Sequence, residues 1–287
     1  MTFSIITASF RSNQWLKLCI PSVADQEMAV EHLVQDGCSD DGTLDWLPYD
    51  RRVKAVVEKD QGMYDAINRG LRRATGDILA YLNCDEQYLP GTLAAVGEFF
   101  ERHPEVEVVF GDAVVVDSAG RYLCHRRTVL PTYYHTLVSG NLATLTCATF
   151  FRRRLITERQ MFFDTRFKIV GDGEWLQRLI KQRVPMAVLP RFTSVFTDTG
   201  DNLCLKPSVV REQQDLASLA PVWARKLRFL FILQYRLSKL LAGHYQQVPF
   251  EYSLYTHTSP GQRVPFSVKQ PTAVWKRVSP PASGDGR

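Results

Sequence analysis

The feature that most constrains this chain is the regular alternation of short β-rich runs and helical patterns over its first 110 residues. Strand–helix alternation with short connections predicts a mostly parallel sheet with helices on both faces, which is an α/β, doubly wound fold. The predicted strands are 3–8, 31–35, 53–58, 77–82 and 106–110, and the predicted helices are 13–25, 64–74 and 92–101.

The alternation changes after Gly111-Asp112. Two strands joined by a tight polar turn come next, and later a strand pair is expected to break at Pro190. The last stretch, 260–287, is rich in Pro, Ser, Gly and Gln, and we predict that it is extended or disordered. The predicted elements here are strands at 113–117, 121–125, 146–151 and 186–196, and helices at 171–182, from 209 onward and at 222–242.

Length and composition limit the class of protein. A chain of 287 residues suits one large α/β domain with an appendage, and 45% hydrophobic content excludes a disordered or fibrous chain. No apolar run approaches the roughly 20 residues of a membrane-spanning helix, and the first residues lack the features of a signal peptide. The six cysteines are scattered without zinc-like spacing, which favours free thiols in the cytoplasm.

The net charge of +5 is distributed unevenly along the chain. Residues through Asn202 carry 23 basic and 26 acidic groups, whereas residues from Leu203 onward carry 12 and 4. The basic excess includes an amphipathic helix over 223–241. This helix either lies on an anionic membrane surface or packs on the rest of the chain or on a second subunit; no nucleic-acid-binding module is present.

Acidic and small residues follow several predicted strands. In open parallel sheets, ligands bind beyond the carboxyl ends of the strands. Asp36 and Asp85 stand at such ends, and Asp36 is suited to hydrogen-bond a nucleoside. Asp85 is either a ligand for Mg²⁺ or Mn²⁺ bound with a diphosphate, or a solvated loop acid. For Asp40, Asp41 and Thr43 we favour turn and helix-capping roles.

Nine segments together resemble family-2 glycosyltransferases of the GT-A fold, which is a Rossmann-like doubly wound sheet. The resemblance covers about the first 200 residues, with the motifs in the same order as in the family. The segments are IITASF at 5–10, DGCSDDGT at 36–43, EKDQGMYDAINRG at 58–70, ATGDI at 74–78, LNCDE at 82–86, GD at 111–112, ATFFRR at 148–153, FDTRF at 163–167 and GDGEWLQRL at 171–179.

The resemblance implies roles on the donor side. Asp85 takes the position of the family's ligand for a divalent metal, Mn²⁺ or Mg²⁺, with Asn83 and Cys84 in the other two positions of the D-x-D motif. Whether Glu86 or residues 198–201 complete the metal site stays open. The residues implied to bind the nucleotide sugar are Thr7, Ser9, Asp36, Asp60, Gly62, Asn68, Asn83 and Cys84.

The resemblance also implies the catalytic base and an acceptor side. Asp172 matches the family's base, and a carboxylate suits that step because an acceptor hydroxyl is a poor nucleophile until it is deprotonated. The alternative is a helix N-terminal acid favoured by the helix dipole. Residues expected near the sugar or the acceptor are Asp112, Glu174, His125 and Arg126.

These roles give a domain prediction. Residues 1–202 form the catalytic domain, with a nucleotide-sugar-binding half over 1–112 and an acceptor-binding half over 113–202. A helical basic extension follows over 203–259, and then the extended or disordered tail.

We therefore expect an inverting, metal-dependent glycosyltransferase that moves a sugar from a nucleoside-diphosphate sugar, commonly a UDP-sugar, to a glycan or lipid-linked acceptor. It would be cytoplasmic, either free or peripheral on the inner face of the membrane, and either monomeric or homodimeric. Two other classes remain. A sugar nucleotidyltransferase shares the sheet but usually has a glycine-rich loop after the first strand, which Thr7 to Arg11 lack. A catalytically degenerate scaffold protein would keep the fold without the activity.

Overall fold

The computed structural model describes residues 1–139, 142–203 and 208–275, and these form a mixed sheet covered by helices on both faces. The strands are β1 Phe3–Ser9, β2 Val30–Asp36, β3 Lys54–Val57, β4 Ile78–Tyr81, β5 Gln87–Tyr88, β6 Val108–Asp117, β7 Tyr122–Arg126, β8 Thr149–Arg152, β9 Met186–Asp198, β10 Phe250–Thr256 and β11 Ser259–Val268. The helices are α1 Asn13–Ala24, α2 Met63–Arg73, α3 Thr92–Arg102, α4 Tyr133–Val138, α5 Arg154–Thr157, α6 Gly171–Lys181, α7 Ser208–Ser218, α8 Val222–Lys226 and α9 Arg228–Leu241.

The main sheet has the strand order β3-β2-β1-β4-β8-β6-β9-β5, and β7 pairs with β6. The longest pairings, β1 with β2 and β6 with β9, are parallel, whereas β8 runs antiparallel to both β4 and β6. The predicted α/β, mostly parallel sheet is confirmed, and the antiparallel β8 joins its two halves.

Two apolar clusters cover the two faces of this sheet. One face packs Ile6 against Ile67 of α2 and Trp175 of α6. The opposite face packs Ile5 against Val23 of α1 and Phe100 of α3. Because Ile5 and Ile6 are adjacent in a strand, they point to opposite faces, so β1 is buried on both sides, as its continuous apolar run predicts.

Two strand predictions are corrected by the structure. The predicted strands 106–110 and 113–117 are one strand, β6, and the predicted break at Pro190 lies inside one strand, β9. The register between β6 and β9 shifts between the Phe110–Val188 and Asp112–Phe192 pairs, which places Pro190 in a bulge. A bulge accommodates the proline because the ladder needs no N–H there.

The C-terminal region departs most from the sequence prediction. The predicted helix 222–242 is interrupted at Leu227 between α8 and α9. Residues 250–268, assigned to a helical extension and a disordered tail, form the antiparallel β10–β11 hairpin. Its Leu254 and Tyr252 join Val114 and Val195 in an apolar cluster, so burial against the main sheet orders this segment. Residues 276–287 of the predicted tail lie outside the described residues.

Among the helices of the described ranges, none combines the length and apolar character that crossing a bilayer requires. The described cysteines Cys19, Cys38, Cys84, Cys124 and Cys147 are free thiols, as expected.

Candidate active site

The carboxyl ends of β1, β2 and β4 meet at one edge of the sheet. Ser9, the last residue of β1, is paired in register with Asp36, the last residue of β2. From the segment after β4, the Cys84 thiol donates to the carbonyl oxygen of Ala8 at 2.9 Å. The structure thus brings together Ser9, Asp36 and Cys84, three of the residues predicted to bind the nucleotide sugar.

Asp36 shapes the loop that follows β2. Its carboxylate is fully buried and accepts hydrogen bonds from the amide and the hydroxyl of Ser39, at 2.7 and 2.8 Å. Asp40 forms an exposed ion pair with Arg11, which holds the pKa of Asp40 below its ordinary value. Asp41 accepts from the Thr43 hydroxyl and the Asn13 amide, which agrees with the turn and capping roles preferred from the sequence.

Thr7 and Asn68 have structural partners. The Thr7 side chain is buried, and its hydroxyl lies 3.0 Å from Nε2 of His32. Asn68 is also buried and exchanges two hydrogen bonds with the backbone of Phe163, at 2.8 and 2.9 Å. Both side chains are buried against other elements of the fold, and their part in donor binding stays a prediction.

Asp60 and Gly62 lie on the loop before α2, close to the loop after β2. Asp60 accepts from the amide of Gly62 at 2.8 Å. A Cβ atom on Gly37 would lie 2.8 Å from Oδ2 of Asp60, so the glycine at this position allows the two loops to approach. Asp60 thereby joins the Asp36 loop at the edge of the sheet.

Asp85, the predicted metal ligand, lies in the segment after β4. Its Oδ2 accepts from Nδ2 of Asn202 at 3.2 Å, and burial raises the pKa of Asp85 above its ordinary value. The neighbouring Glu86 is buried, with Oε2 accepting from the Asn83 amide at 2.8 Å and Oε1 without a hydrogen-bond partner among the described residues. Burial, and then the charge of Asp85, raises the pKa of Glu86 as well.

Segment 197–202 does close over Asp85, but through a residue that the sequence did not single out. Asn202 donates to Asp85 and also to the carbonyl oxygen of Thr197, at 3.0 Å. Asp198 instead accepts from the indole of Trp275 at 3.0 Å. The acidic residues of this segment drew attention in the sequence, whereas an asparagine gives no comparable signal.

Asp172 lies in the first turn of α6 and is positioned by Tyr64 of α2. The Asp172 amide donates to the Tyr64 hydroxyl, and that hydroxyl donates to the carbonyl oxygen of Ile169, both at 3.0 Å. A Cβ on Gly171 would lie 2.7 Å from the Tyr64 ring, so only glycine permits this approach of α6 to α2. Burial raises the pKa of Asp172 to about 6, against the lowering effect of its hydrogen bond from the Gly173 amide.

Glu212, in the C-terminal region, also helps to hold Asp172 in position. Glu212 of α7 accepts from the backbone amides of Lys168, Ile169 and Val170, at 2.9, 2.9 and 3.0 Å. These three residues directly precede α6. Glu212 therefore secures the start of the helix that carries Asp172, and the sequence analysis did not identify it because its partners are backbone groups over 40 residues away.

Asp172 faces two connected spaces. One is a small cavity of about 20 Å³, lined by Tyr81, Thr146, Phe163 and Trp175 as well as Asp172. The other is a cleft of about 230 Å³ between α4, α6 and α7. The cleft lining is largely apolar, with Leu137, Leu145, Ile169, Val209, Leu216 and Trp275 among its members. Arg126 lines the same cleft, as expected for a residue on the acceptor side.

The other residues predicted to lie near the sugar or the acceptor have different surroundings. Asp112 is buried, and its Oδ1 accepts from the Thr128 amide at 2.8 Å; burial raises its pKa to about 6. His125 is buried with Nδ1 2.8 Å from the Tyr122 hydroxyl, and burial lowers its pKa to about 4, so it is neutral at pH 7. Glu174 is paired with Arg178 one turn along α6 at 2.8 Å. Neither His125 nor Glu174 lines the cleft that Asp172 faces.

The comparisons with known proteins agree with this geometry. The family model described as Glycosyl transferase family 2 matches residues 4–160. A PGL/p-HBAD biosynthesis glycosyltransferase of Mycobacterium bovis is 37% identical over 127 residues, which are 42% of this chain and 50% of that protein. An uncharacterized glycosyltransferase of Mycobacterium tuberculosis is 27% identical over 243 residues, 80% of this chain and 90% of that protein. The chain thus spans about half the length of the first of these curated relatives.

Solved structures show the same fold. S. aureus TarS 1–349 in complex with UDP-GlcNAc has a TM-score of 0.61 at 18% identity, covering 84% of this chain and 73% of that one. The mannosyltransferase PcManGT from Pyrobaculum calidifontis, in complex with GDP-Man and Mn²⁺, has a TM-score of 0.51 at 16% identity, covering 86% and 76%. Since the family model matches more than half of its residues, the chain belongs to glycosyl transferase family 2.

Proposed function

We propose that this chain is an inverting glycosyltransferase that uses a nucleoside-diphosphate sugar, with UDP as its nucleotide, and a hydroxyl of a glycan or lipid-linked acceptor. The observation that carries the proposal is the position of Asp172. Asp172 lines both the small cavity and the cleft, and Tyr64 and Glu212 fix the start of its helix. The UDP-GlcNAc bound to the structurally similar TarS supports a UDP-sugar as donor.

The residues present fit a divalent metal that arrives with the donor. Among the described residues there is no group of three or more His, Cys, Asp or Glu side chains able to hold a metal by themselves. Asp85 is one partly exposed carboxylate at a strand end, and burial makes its charge unfavourable without a cation. Mg²⁺ is often bound by one or two carboxylates together with substrate phosphates, so Asp85 would hold it. The metal would stabilise the negative charge of the departing nucleoside diphosphate.

The chain's own residues supply the other steps. Ser9 and Asp60 bind the nucleoside and orient the donor at the edge of the sheet, and Asp36 holds the Ser39 loop in place beside them. Asp172 accepts the proton of the acceptor hydroxyl, and the alkoxide oxygen forms its bond to the anomeric carbon as the bond to the diphosphate breaks. The apolar walls of the cleft exclude water from this carboxylate, which limits hydrolysis of the donor.

Replacing the base is the direct test of this proposal. Asp172→Asn keeps the shape of the side chain but cannot accept the proton, so turnover should fall by about 10²–10⁴-fold. Nucleotide affinity, measured by calorimetry, should be retained. Glu158→Gln removes an exposed carboxylate elsewhere and serves as the matched control. Undiminished turnover in Asp172→Asn would overturn the assignment.

The metal role of Asp85 has a separate test. In Asp85→Ala we expect the Mn²⁺-dependent part of UDP affinity to disappear, because a carboxylate ligand of the cation is lost. Calorimetric titration of UDP with Mn²⁺ and with EDTA measures that part in both proteins. Equal Mn²⁺ dependence in wild type and variant would place the metal elsewhere.

The rival functions give different products. A glycosyltransferase releases a free nucleoside diphosphate from a sugar nucleotide, a nucleotidyltransferase releases pyrophosphate as it forms one, and a scaffold protein releases neither. Product analysis distinguishes the three when one set of reactions contains UDP-, GDP- and dTDP-sugars and a parallel set contains nucleoside triphosphates with sugar 1-phosphates. We expect UDP release that depends on an added acceptor.

A further inference from the structure

Helix α9 has two apolar faces, only one of which is used in packing. The inner face packs on α4: the rings of Phe231 and Tyr134 lie 5.2 Å apart, and Tyr235 stacks on His135 at 4.2 Å. On a helix, residues three to four positions apart share a face, so Phe231 and Tyr235 define the inner side. Packing on the rest of the chain, one of the two roles expected for this helix from the sequence, accounts for the inner face.

The outer face of α9 is apolar as well. Leu230, Leu233, Leu237 and Leu240 follow at spacings of three, four and three residues, and they lie on the side opposite Phe231 and Tyr235. The outer apolar patch of α9, as we call it, is between 45% and 81% exposed; its members are Phe229, Leu230, Leu233, Leu237, Leu240 and Leu241. Trp223 and Tyr245, at the two ends of the helix, are also half exposed.

The charges around the outer apolar patch have one sign. Residues 216–250 contain no aspartate or glutamate, and they contain five basic residues. Arg225, Lys226, Arg228 and Arg236 are exposed, whereas Lys239 lies over the Tyr235 ring at 5.6 Å. An exposed apolar stripe flanked only by positive charge complements a surface that is apolar inside and negative at its border.

We propose that α8 and α9 lie flat on an anionic lipid bilayer, with the outer apolar patch in the acyl boundary and the flanking arginines among the headgroups. Interfacial helices have this arrangement of leucine and aromatic residues on one side and basic residues beside them. Each exposed basic residue adds attraction to anionic lipid. A second copy of the chain fits less well, because the positive charges beside the patch would repel their own copies and residues 216–250 contain no acid to pair with them.

This placement orients the rest of the molecule. The 14 residues of α9 form a rod about 21 Å long that rests on α4. Thr136 and Leu137 of α4 line the cleft that Asp172 faces. The cleft then lies about one helix diameter, roughly 10 Å, from the bilayer surface.

The test is binding of the full chain to lipid vesicles, followed by flotation. One set of vesicles contains phosphatidylcholine alone, and the other contains about 30% phosphatidylglycerol. We expect the protein to float with the anionic vesicles and to be released by high salt. Equal binding to both sets, or binding to neither, would overturn the proposal.

Variants locate the binding surface. The double variant Leu233→Gln/Leu237→Gln should partition into anionic vesicles at least about tenfold more weakly, because two buried leucines are lost from the interface. Both side chains are exposed, so the variant should fold, which its circular dichroism and melting temperature check. Tyr49→Gln, at an exposed aromatic far along the chain, is the matched control and should bind like wild type.

Charge and self-association are tested with the same proteins. Arg228→Gln/Arg236→Gln should lose the preference for anionic vesicles, and retention of that preference would contradict the proposal. Sedimentation equilibrium without lipid should show no association that the leucine variants abolish. A dimer held by the outer apolar patch would assign the patch to a second copy and overturn the membrane assignment.

Discussion

At the scale of single residues, the decisive property of the candidate site is the burial of its carboxylates. Asp172 has a pKa raised to about 6 by burial, and the hydrogen bond from the Gly173 amide opposes that rise. A base with a pKa near the working pH is both deprotonated and basic enough to accept a proton. The environment of Asp172 thus suits it to the role that the sequence resemblance implies.

This environment predicts the pH dependence of transfer. Asp172 acts only when deprotonated, so the rate should be constant above about pH 7 and fall by about tenfold per pH unit below its pKa. The pH profile of kcat/KM between pH 4.5 and 8 reports the base of the free enzyme, and its midpoint should lie within about one unit of 6. A limb near pH 4 in wild type would show that Asp172 is not desolvated during catalysis.

Residue positions in the fold were predictable where the order of strands and helices decides them. Asp36, Asp85 and Asp172 stand at strand ends or at a helix start, so their motifs placed them correctly in the fold. Thr7, Asn68 and Glu174 have partners from other elements or from the next turn, His32, Phe163 and Arg178. Such pairings depend on three-dimensional proximity, which a motif does not contain.

At the scale of elements, α2 and the segment before α6 are joined by one asparagine. The Asn68 amide group meets both the carbonyl and the amide of Phe163, and the rings of Phe163 and Tyr64 stack at 5.3 Å. The Tyr64 hydroxyl also accepts a hydrogen bond from the Asp172 amide at the start of α6. Helix α2 therefore sets the position of Asp172.

Asn68→Ala distinguishes this structural role from a donor-binding one. Loss of both hydrogen bonds leaves two buried backbone groups unpaired, so the free energy of unfolding should fall by about 1–3 kcal/mol. Urea denaturation measures that loss. The dissociation constant for UDP, measured well below the melting temperature, should stay within about threefold of wild type. A large rise in that constant with little loss of stability would restore the donor-binding role of Asn68.

The helices and strands of the first 110 residues agreed with the periodicity of the sequence. Each helix buries one apolar face against the sheet, and β1 has apolar residues on both of its faces because both are covered. The short α4, Tyr133–Val138, was not predicted, since six residues are too few to establish a helical period. Its stability comes from packing against α6, α7 and α9, which the sequence does not reveal.

At the scale of the whole molecule, the chain returns to the main sheet after the helices. Tyr252 donates to the carbonyl oxygen of Gly120 at 2.8 Å, and Gln87 exchanges two hydrogen bonds with the backbone of Tyr255. Arg263 forms an ion pair with Asp25 of the segment after α1. The domain boundary predicted at residue 202 therefore does not separate independent parts.

A core substitution in the hairpin tests this integration. Leu254 is 2% exposed, so Leu254→Ala should lower the free energy of unfolding by about 2–5 kcal/mol. Val274→Ala, at a position 62% exposed, is the control and should change it by less than about 0.5 kcal/mol. Denaturant unfolding of both variants decides the matter. A neutral Leu254→Ala would mean that the hairpin is peripheral to the core.

The prediction of an extended or disordered tail failed because composition was its only basis. Residues 260–268 contain two prolines and one glycine, yet they pair with β10 at the margin of the molecule. Proline is tolerated in such edge strands. This segment is ordered because the hairpin packs on an apolar surface formed by residues far away in the chain, such as Val114 and Val195.

The three amide hydrogen bonds of Glu212 have a consequence for how the protein is made. During synthesis the nucleotide-binding strands emerge first, but the acid that secures the start of α6 follows Asp172 by 40 residues, and Trp275 follows it by more than 100. In a nascent chain, the three Glu212 hydrogen bonds that secure the start of α6 can form only after residues 1–211 have been synthesised. The order of synthesis therefore separates the strand ends that carry Asp36 and Asp85 from the contact that helps to position Asp172.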